Sequence, residues 1–402
     1  MSNTSKKVTV RMYNVGFGDS FLIRIPAAGG DRKILVDCGS IKKGDGGSID
    51  DIVEAIVGDV KDKDGTPRID VVIATHRHRD HVSGFASPAW ADVEVKEVWM
   101  PWTENPKDPQ ARKIRDAQSH LALALHASLV AVGAAPELIS VAENALVNED
   151  AMTTLHEGFA GKPERRFLPP RDREARTFSV ECLPNVLVHA MGPSFDEAVI
   201  ADMDPPAGKS FLELYNAAEP GRQPTRLPFP GDWTLDVPPS ELMLDDADRK
   251  LVESVGDGSE ELLAAALDGA VNGTSLVIMF RVGQSFLLFP GDAQWGTWNM
   301  ILSDPEWRNL LAKTTFLKVG HHGSHNATPR PFLDDVLPMP IAQFWAMVST
   351  IHRGSWPIPK KELMAALEER TKNVVRSDEI ASAVKTVFKS KASLSVEASL
   401  PI

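Results

Sequence analysis

Cysteine is nearly absent: Cys38 and Cys182 are the only two in 402 residues. That excludes a disulfide framework and a cysteine-built zinc site, both of which need several clustered thiols, and it suits a reducing compartment. Long apolar runs are missing as well. No stretch approaches the ~18 residues a membrane-spanning helix requires, and the amino-terminal MSNTSKKVTVRMYNVG carries two lysines without the apolar segment of an export signal. The expectation is a cytoplasmic protein with no membrane contact. Positive charge is in deficit, 43 Lys and Arg against 55 Asp and Glu for a net charge of -12, so nothing global attracts nucleic acid or an anionic surface. A phosphate-bearing substrate would need a local cation, and a bound metal is one.

The chain does have 43% apolar content, enough over this length for a sizeable core, and two blocks of strand-like sequence. VTVRMY (8–13) and FLIRI (21–25) alternate, while KILVD (33–37) and IDVVIAT (69–75) are continuously apolar, as strands covered on both faces are. Between them GSIDDIVEAIV (47–57) fits a helix capped by Ser48, with Ile49, Ile52, Val53 and Ile56 on one face. VKEVWM (95–100) reads as a strand and DPQARKIRDAQSHLALALHASLVAV (108–132) as a long helix opened by an aspartate and a proline. His120 and His126 lie on different faces of that helix and are read as ordinary surface or core residues. From about 160 to 245 proline, glycine and charge dominate, the mark of loops and insertions.

The second block holds SLVIMFRV (275–282) and SFLLFP (285–290), a hairpin through Gly283 and Gln284. A helix over AQWGTWNMIL (293–302), strands TFLKVG (315–320) and FWAMVST (344–350), and a helix from near Pro359 follow. VKTVFKSKASLSVEA (384–398) is expected to add edge strands. Two such blocks predict an α/β protein of two sheets stacked back to back with helices outside. The organisation expected is one domain over 1–402 with insertions near 101–180 and 194–270.

The chemistry concentrates in ATHRHRDHVSG (74–84), where His76, His78, Asp80 and His81 fall within six positions after an apolar strand. Imidazole and carboxylate suit zinc, manganese or iron, and H-x-H alternation at a strand end points two imidazoles the same way. His76 and His78 could therefore hold one ion, with Asp80 and His81 on the following turn facing a second. Further ligands must come from elsewhere, and two strand ends offer them: Asp292 in LLFPGDAQW, and His321 and His322 in FLKVGHHGSHNAT. A second FPGD at 229–232 makes Asp232 a rival. It follows the proline-broken, polar GRQPTRLP, which is no central strand, so Asp292 is the stronger candidate.

These segments resemble the metallo-β-lactamase-fold hydrolases, and among them the branch of the soluble hydrolase domain of the competence protein ComEC and the teichoic acid phosphorylcholine esterases. NVGFGDSFLI (14–23), ILVDCG (34–39), THRHRDHVSGF (75–85), GTSLVIMF (273–280), FLLFPGDA (286–293) and LKVGHHGSHNAT (317–328) follow the family's order outside the insertions. The resemblance implies a metallo-β-lactamase-type αββα sandwich with helical and loop insertions. It makes His76 and His78 ligands of one metal and Asp80 and His81 ligands of the other, with Asp292 bridging the two. His322 would complete the second site, leaving His321 to the substrate phosphate or leaving group. Asp37 would support the histidine loop by hydrogen bonds, and Asn14, Asp19 and Ser20 would belong to a loop at the site rim. Phe17, and Trp356 before Pro357, stand where many relatives carry glutamine and histidine. The wider superfamily has a third histidine for the first metal. Only His189, in NVLVHAMGPS, is suitably placed here, and it is expected to be a strand residue instead, as this branch often lacks that histidine.

The implied cofactors are two divalent transition metal ions, Zn2+ or Mn2+, that activate water for in-line attack on a phosphodiester. Lys318, His321, Ser324 and His325 cluster beside the motif and are expected to orient the phosphate or protonate the leaving oxygen. The leading expectation is a phosphodiesterase acting as a nuclease on DNA. A phosphodiesterase for a small ester, such as a phosphocholine ester or a cyclic nucleotide, stands second. A metal-stabilised effector activated by a protein partner that docks on the insertions stands third.

Overall fold

The computed structural model describes residues 7–133, 136–146, 148–206, 209–210, 267–337, 343–351, 358–380, 389–391 and 393–402. Asp232, Trp356 and Pro357 lie outside the described residues. The first sheet contains β1 (Lys7–Tyr13), β2 (Ser20–Ile25), β3 (Arg32–Cys38), β4 (Arg68–Ile73), β5 (Glu94–Pro101) and β6 (Glu164–Leu168). The second contains β7 (Thr177–Phe178), β8 (Val186–Gly192), β9 (Val277–Val282), β10 (Ser285–Phe289), β11 (Phe316–Lys318), β12 (Trp345–Val348) and β13 (Val374–Arg376). The chain then returns to the first sheet through β14 (Lys389–Lys391) and β15 (Ser395–Pro401), giving the orders β14-β15-β1-β2-β3-β4-β5-β6 and β13-β12-β11-β10-β9-β8-β7.

The terminal segment differs from the sequence expectation in one respect. β15 is not an edge strand, because it pairs with β1 over seven residues from Lys7↔Pro401 to Tyr13↔Ser395. Only β14, the lysine-bearing KSK, forms the edge, which suits the blunting of an open edge by charge.

Alternation of side chains explains the layering. Val8, Val10, Phe21, Ile23, Ile34, Val36, Val71 and Ile73 of the first sheet meet Val186, Val188, Ile278, Phe280, Leu287, Phe289, Phe316 and Met347 of the second in one buried cluster. The opposite faces are covered by helices. Leu22, Leu35 and Val72 pack on Ile52, Val53 and Ile56 of the helix Ile49–Asp59, whose Ser48 and Asp51 form a reciprocal capping box. Met279, Leu288, Leu317 and Ala346 pack on Trp298 and Ile301 of Trp295–Ser303 and on Leu363 and Leu367 of Lys361–Arg370. The result is a four-layer α/β sandwich, helices outside two face-to-face sheets.

In each sheet one half is antiparallel and the other parallel. β3 to β6 run parallel, as do β10 to β13. Parallel strands end on the same side, where loops can converge as a binding crevice. The first insertion contributes the helix Pro109–Val132, capped by Asp108 and stopped by Gly133 at φ 65, and the helix Pro136–Ala145. Leu121, Leu125, Leu129, Val141 and Ala142 from these helices pack against Leu267 and Val271 at the end of the second insertion. No helix among the described residues is long and apolar enough to cross a membrane.

Candidate metal centre

Four strand ends converge on one buried cluster. β3 delivers Asp37, β4 runs into His76 to His81, β10 into Asp292, and β11 into His321 and His322. His76, His78, Asp80, His81, Asp292 and His322 are each at most 2% exposed. Close backbone approach makes this possible: a side chain at Gly39 would lie 2.5 Å from the backbone of Asp80 and His81. The Asp19 N–H donates to the Asp80 carbonyl at 2.9 Å, tying the first loop to the histidine turn. Of the five non-glycine residues with positive φ among the described residues, three are here: Asp37 (φ 56), His321 (φ 44) and His322 (φ 51). Such strain persists where the surroundings over-determine it, and it gathers at working sites.

The hydrogen bonds select which ring nitrogens face the cluster. The Thr75 hydroxyl donates to Asp37 Oδ2 at 2.7 Å and lies 3.2 Å from His76 Nδ1. With its proton so used it accepts from His76 Nδ1, leaving Nε2 bare. His81 Nδ1 donates to Asp37 Oδ2 at 2.8 Å, and His322 Nδ1 donates to the Ser349 carbonyl at 2.9 Å. The inward atoms then lie close together: His76 Nε2 is 3.1 Å from His78 Nδ1, His81 Nε2 is 3.2 Å from Asp292 Oδ2, and His322 Nε2 is 3.0 Å from Asp80 Oδ2. Two atoms each about 2.0–2.2 Å from one ion sit roughly 3–3.5 Å apart, so these separations are those of ligand pairs.

Charge balance gives a second test of fit. Among the described residues Asp19, Asp37, Asp80 and Asp292 are buried here against the ammonium of Lys318, an excess of negative charge that costs heavily unless metal ions, or protons on His81 and His322, balance it. His78 Nε2 and Asp80 Oδ1 are buried without a hydrogen-bond partner among the described residues. The sets His76/His78/Asp80, His76/His81/Asp292 and Asp80/His81/His322 each place one ligand atom per residue within 4.8 Å of one another. These clusters can hold metal, and Asp292 faces His76 and His81 together.

Electrostatics divide the imidazoles into two kinds. Burial pushes the His76 and His78 pKa values down; His81 and His78 push the same way at His76, whereas Asp268 and Asp80 oppose burial at His78 without overcoming it. Burial opposes the charged form of His81 as well, but Asp292, Asp80, Asp37 and Asp19 overcome it and hold its pKa well above the ordinary value. His322 is raised against the same opposition, chiefly by its hydrogen bond to Asp80. Asp292 is held well below the carboxylate range despite burial, by Lys318 and His81.

Other expected site residues fall elsewhere. Asp19 is fully buried and ion-paired with Lys318, so it does not line a rim. Lys318 is not placed to meet substrate: at 2% exposed it donates to Asp292 Oδ1 at 3.1 Å and to the Gly291 carbonyl at 3.2 Å, fixing the aspartate from behind. Asn14 donates to the Ser393 carbonyl at 3.1 Å and lines a separate cleft of about 340 Å³ with Asp45, Ile351 and Arg376. Ser20 is buried at the start of β2. Ser324 and His325 are half-buried, with His325 Nε2 at 3.5 Å from Asp204. Phe17 packs on His322, ring centroids 4.3 Å apart, an apolar wall in place of a polar group.

His189 lies on the helix-facing side of β8, 3.0 Å from the Thr177 hydroxyl and edge-on to Trp307, away from the cluster. Burial, with Arg281 and Lys313 nearby, lowers its pKa to about 4.

Sequence reasoning missed three supports. Arg77, between the two first histidines, turns outward into a bidentate, buried pair with Glu104 at 3.0 and 2.8 Å. Asn144 Oδ1 accepts the Asp80 N–H at 3.0 Å. Asp268 approaches His78 Nε2 at 4.0 Å and His321 Nε2 at 3.6 Å. The last two come from the insertions, and no motif marks them. Comparison with protein-family models and with curated proteins finds no match to this chain.

Proposed function

We propose that the protein is a metallo-β-lactamase-fold hydrolase that uses two divalent transition ions, zinc or manganese, to cleave phosphodiesters, with DNA the foremost substrate. One observation carries the reading: six side chains drawn from positions 76 to 322 meet with donor atoms 3.0–3.2 Å apart beyond the strand ends of two stacked sheets. Ions bound there supply Lewis-acid activation of water and neutralise phosphate charge, which an acidic chain cannot do by itself. The protein's own groups do the rest. Asp292 accepts from Lys318 Nζ and from the His321 N–H at 3.0 Å, so its carboxylate stays turned between the two halves. His321, half-buried and pointing its Nε2 toward Asp268, is the group available to hold a phosphate oxygen or give a proton to the leaving oxygen. Phe17 keeps water from the face of His322.

A small phosphodiester is the second reading, favoured by negative charge around the entrance. Asp268 and the exposed Asp204 stand beside His321 and His325, where they repel a polyanionic backbone more than a single ester. Metal analysis of the purified protein, followed by hydrolysis assays with Zn2+, Mn2+ and Mg2+, tests both. The panel is bis-p-nitrophenyl phosphate, single- and double-stranded DNA, a phosphocholine ester and a cyclic nucleotide. The expected result is two ions per chain and chelator-sensitive cleavage of the aryl diester, with the natural substrates deciding between the readings. Absence of bound metal, or two ions with no diester cleaved, would overturn the hydrolase; the latter would leave a metal-stabilised effector.

A further inference from the structure

A metal-binding imidazole needs its outer ring nitrogen held, because that contact selects the tautomer and aims the ring. His76, His81 and His322 have such partners in Thr75, Asp37 and Ser349 at 3.2, 2.8 and 2.9 Å. His78 does not. Its Nδ1 faces His76 Nε2, so its outer atom is Nε2, which is buried without a hydrogen-bond partner among the described residues. The acid that faces this atom is Asp268, with Oδ1 at 4.0 Å.

Asp268 is anchored for the purpose. Its Oδ2 accepts from Asn272 Nδ2 at 2.7 Å, and the carboxylate is 21% exposed between the rings of His78 and His321. Leu267 and Val271, on either side of it in sequence, are fully buried against the helices Pro109–Val132 and Pro136–Ala145. Gln118 Nε2 donates to the Ala270 carbonyl at 2.8 Å, joining the two insertions again. The same pair of insertions supplies Asn144 to the Asp80 N–H.

Resting on the two-ion reading above, we infer that Asp268 is the positioning carboxylate of the first metal pocket. Its Oδ1 takes the His78 Nε2–H when the pocket is loaded and so commits Nδ1 to a divalent transition ion. It is not itself a ligand, because Nδ1 and Nε2 lie on opposite sides of the ring and Asp268 stands on the outer side. The insertions therefore complete a metal pocket that the sandwich alone leaves short of one support.

Chelator-competition titrations of the full-length protein with Zn2+ and with Mn2+ test this by resolving two binding steps. Asp268→Ala is expected to weaken one step by about 10- to 100-fold and leave the other within about twofold, the usual effect of losing an outer partner. Asp268→Asn keeps an oxygen that can accept from His78 and should restore most of the loss. In Zn2+-loaded protein labelled with 15N-histidine, the His78 ring resonances should move in the alanine variant and stay near the wild-type position in the asparagine variant. Unchanged affinities and resonances in Asp268→Ala would overturn the inference. So would a loss of more than about 10³-fold shared by both variants, well beyond an outer-shell effect, since it would make Asp268 a ligand. Should the alanine variant not fold, Asp268→Ser, whose shorter side chain does not reach His78, takes its place with the same expected loss and the same overturning result, and Asp268→Asn remains the rescue. A wild-type protein that binds no ions sinks the two-ion reading instead, whereas intact binding without phosphodiester cleavage sinks only the activity.

Discussion

Around Asp80, His81 and His322 the outer ring nitrogens are held at 2.8 and 2.9 Å by Asp37 and the Ser349 carbonyl. Around His76 and His78 the outer contacts stretch to 3.2 and 4.0 Å. The supports also have different origins. Asp37 ends β3 and Ser349 follows β12, so the imidazoles of the second pocket are braced by the sandwich itself, while Asn144 of an insertion holds the Asp80 N–H. Asp268 arrives from an insertion. Under the proposed two-ion reading the difference teaches that the imidazoles of one half are held by the fold alone, whereas His78 of the other half faces a carboxylate added to the fold, and the two should respond differently to mutation and to pH.

Under the proposed two-ion reading Asp292, which faces both His76 and His81, is the residue the halves share, so the largest effect is expected there. Asp292→Ala should remove both ions and abolish metal-dependent turnover, and it also leaves the buried Lys318 with Asp19 as its remaining carboxylate partner. Asp232→Ala, the other FPGD aspartate, should change neither. Inductively coupled plasma analysis of the two variants checks this, and similar metal loss in both would mean that the wrong copy of the tetrapeptide was chosen.

The adjacent histidines separate the second pocket from the substrate side. His322→Ala should lose the second ion. His321→Ala should keep both and lose about 10²- to 10⁴-fold in rate, the range for a positioned acid or base. An ester with a good leaving group needs little proton donation, so bis-p-nitrophenyl phosphate should partly rescue His321→Ala if His321 is the acid. Metal loss in His321→Ala with retention in His322→Ala would exchange the two roles.

Much of this arrangement was legible in the sequence, for physical reasons. Strand periodicity and the Gly283-Gln284 turn gave the hairpin, and Ser48 the start of its helix. The loop at 76–81 and the strand-end positions of Asp292 and His322 pointed to one cluster, because parallel strands finish on the same side of a sheet. Burial and pairing were not legible. Lys318 looked like a phosphate-binding cation because a lysine beside GHHGS carries no mark of being 2% exposed. Asp19 likewise gave no sign that it would partner that lysine. Asn144 and Asp268 were missed because each acts through one long-range contact set by how two insertions pack, and a single contact leaves no period or motif.

A smaller effect is expected at Asp37, which braces the second pocket as Asp268 is inferred to brace the first. Asp37→Asn suits the test, because asparagine tolerates the left-handed backbone at φ 56. Its carbonyl oxygen can still accept the Thr75 N–H, which donates to Asp37 Oδ1 at 2.7 Å, but its amide offers His81 Nδ1 a donor in place of an acceptor. The second binding step should weaken by about 10- to 100-fold, and the first by less, through the Thr75 hydroxyl, which loses Asp37 Oδ2 as its acceptor and is the outer contact of His76. A first-step loss of equal size would show that the halves are not independent.

The sharpest test of the comparison is the pH dependence of metal binding. A ligand imidazole must be neutral, so an ion has to expel any proton held there. In the metal-free protein burial disfavours charge on His81 and His322, but the carboxylates around them prevail and raise both pKa values, so both hold protons as pH falls toward and below neutrality. His76 and His78 are lowered by burial, so they are already neutral there. The sign follows directly: lowering the pH makes the second ion bind more weakly and leaves the first nearly unaffected. As the pH falls through the range where these raised groups take up protons, the second step should weaken by up to about tenfold per pH unit for each proton expelled. Asp37→Asn removes one of the carboxylates that raise His81 and should flatten that slope. Titrations at fixed ionic strength across this range measure both steps, and equal slopes would mean that the two pockets share their protons and that the contrast drawn from their contacts does not govern binding.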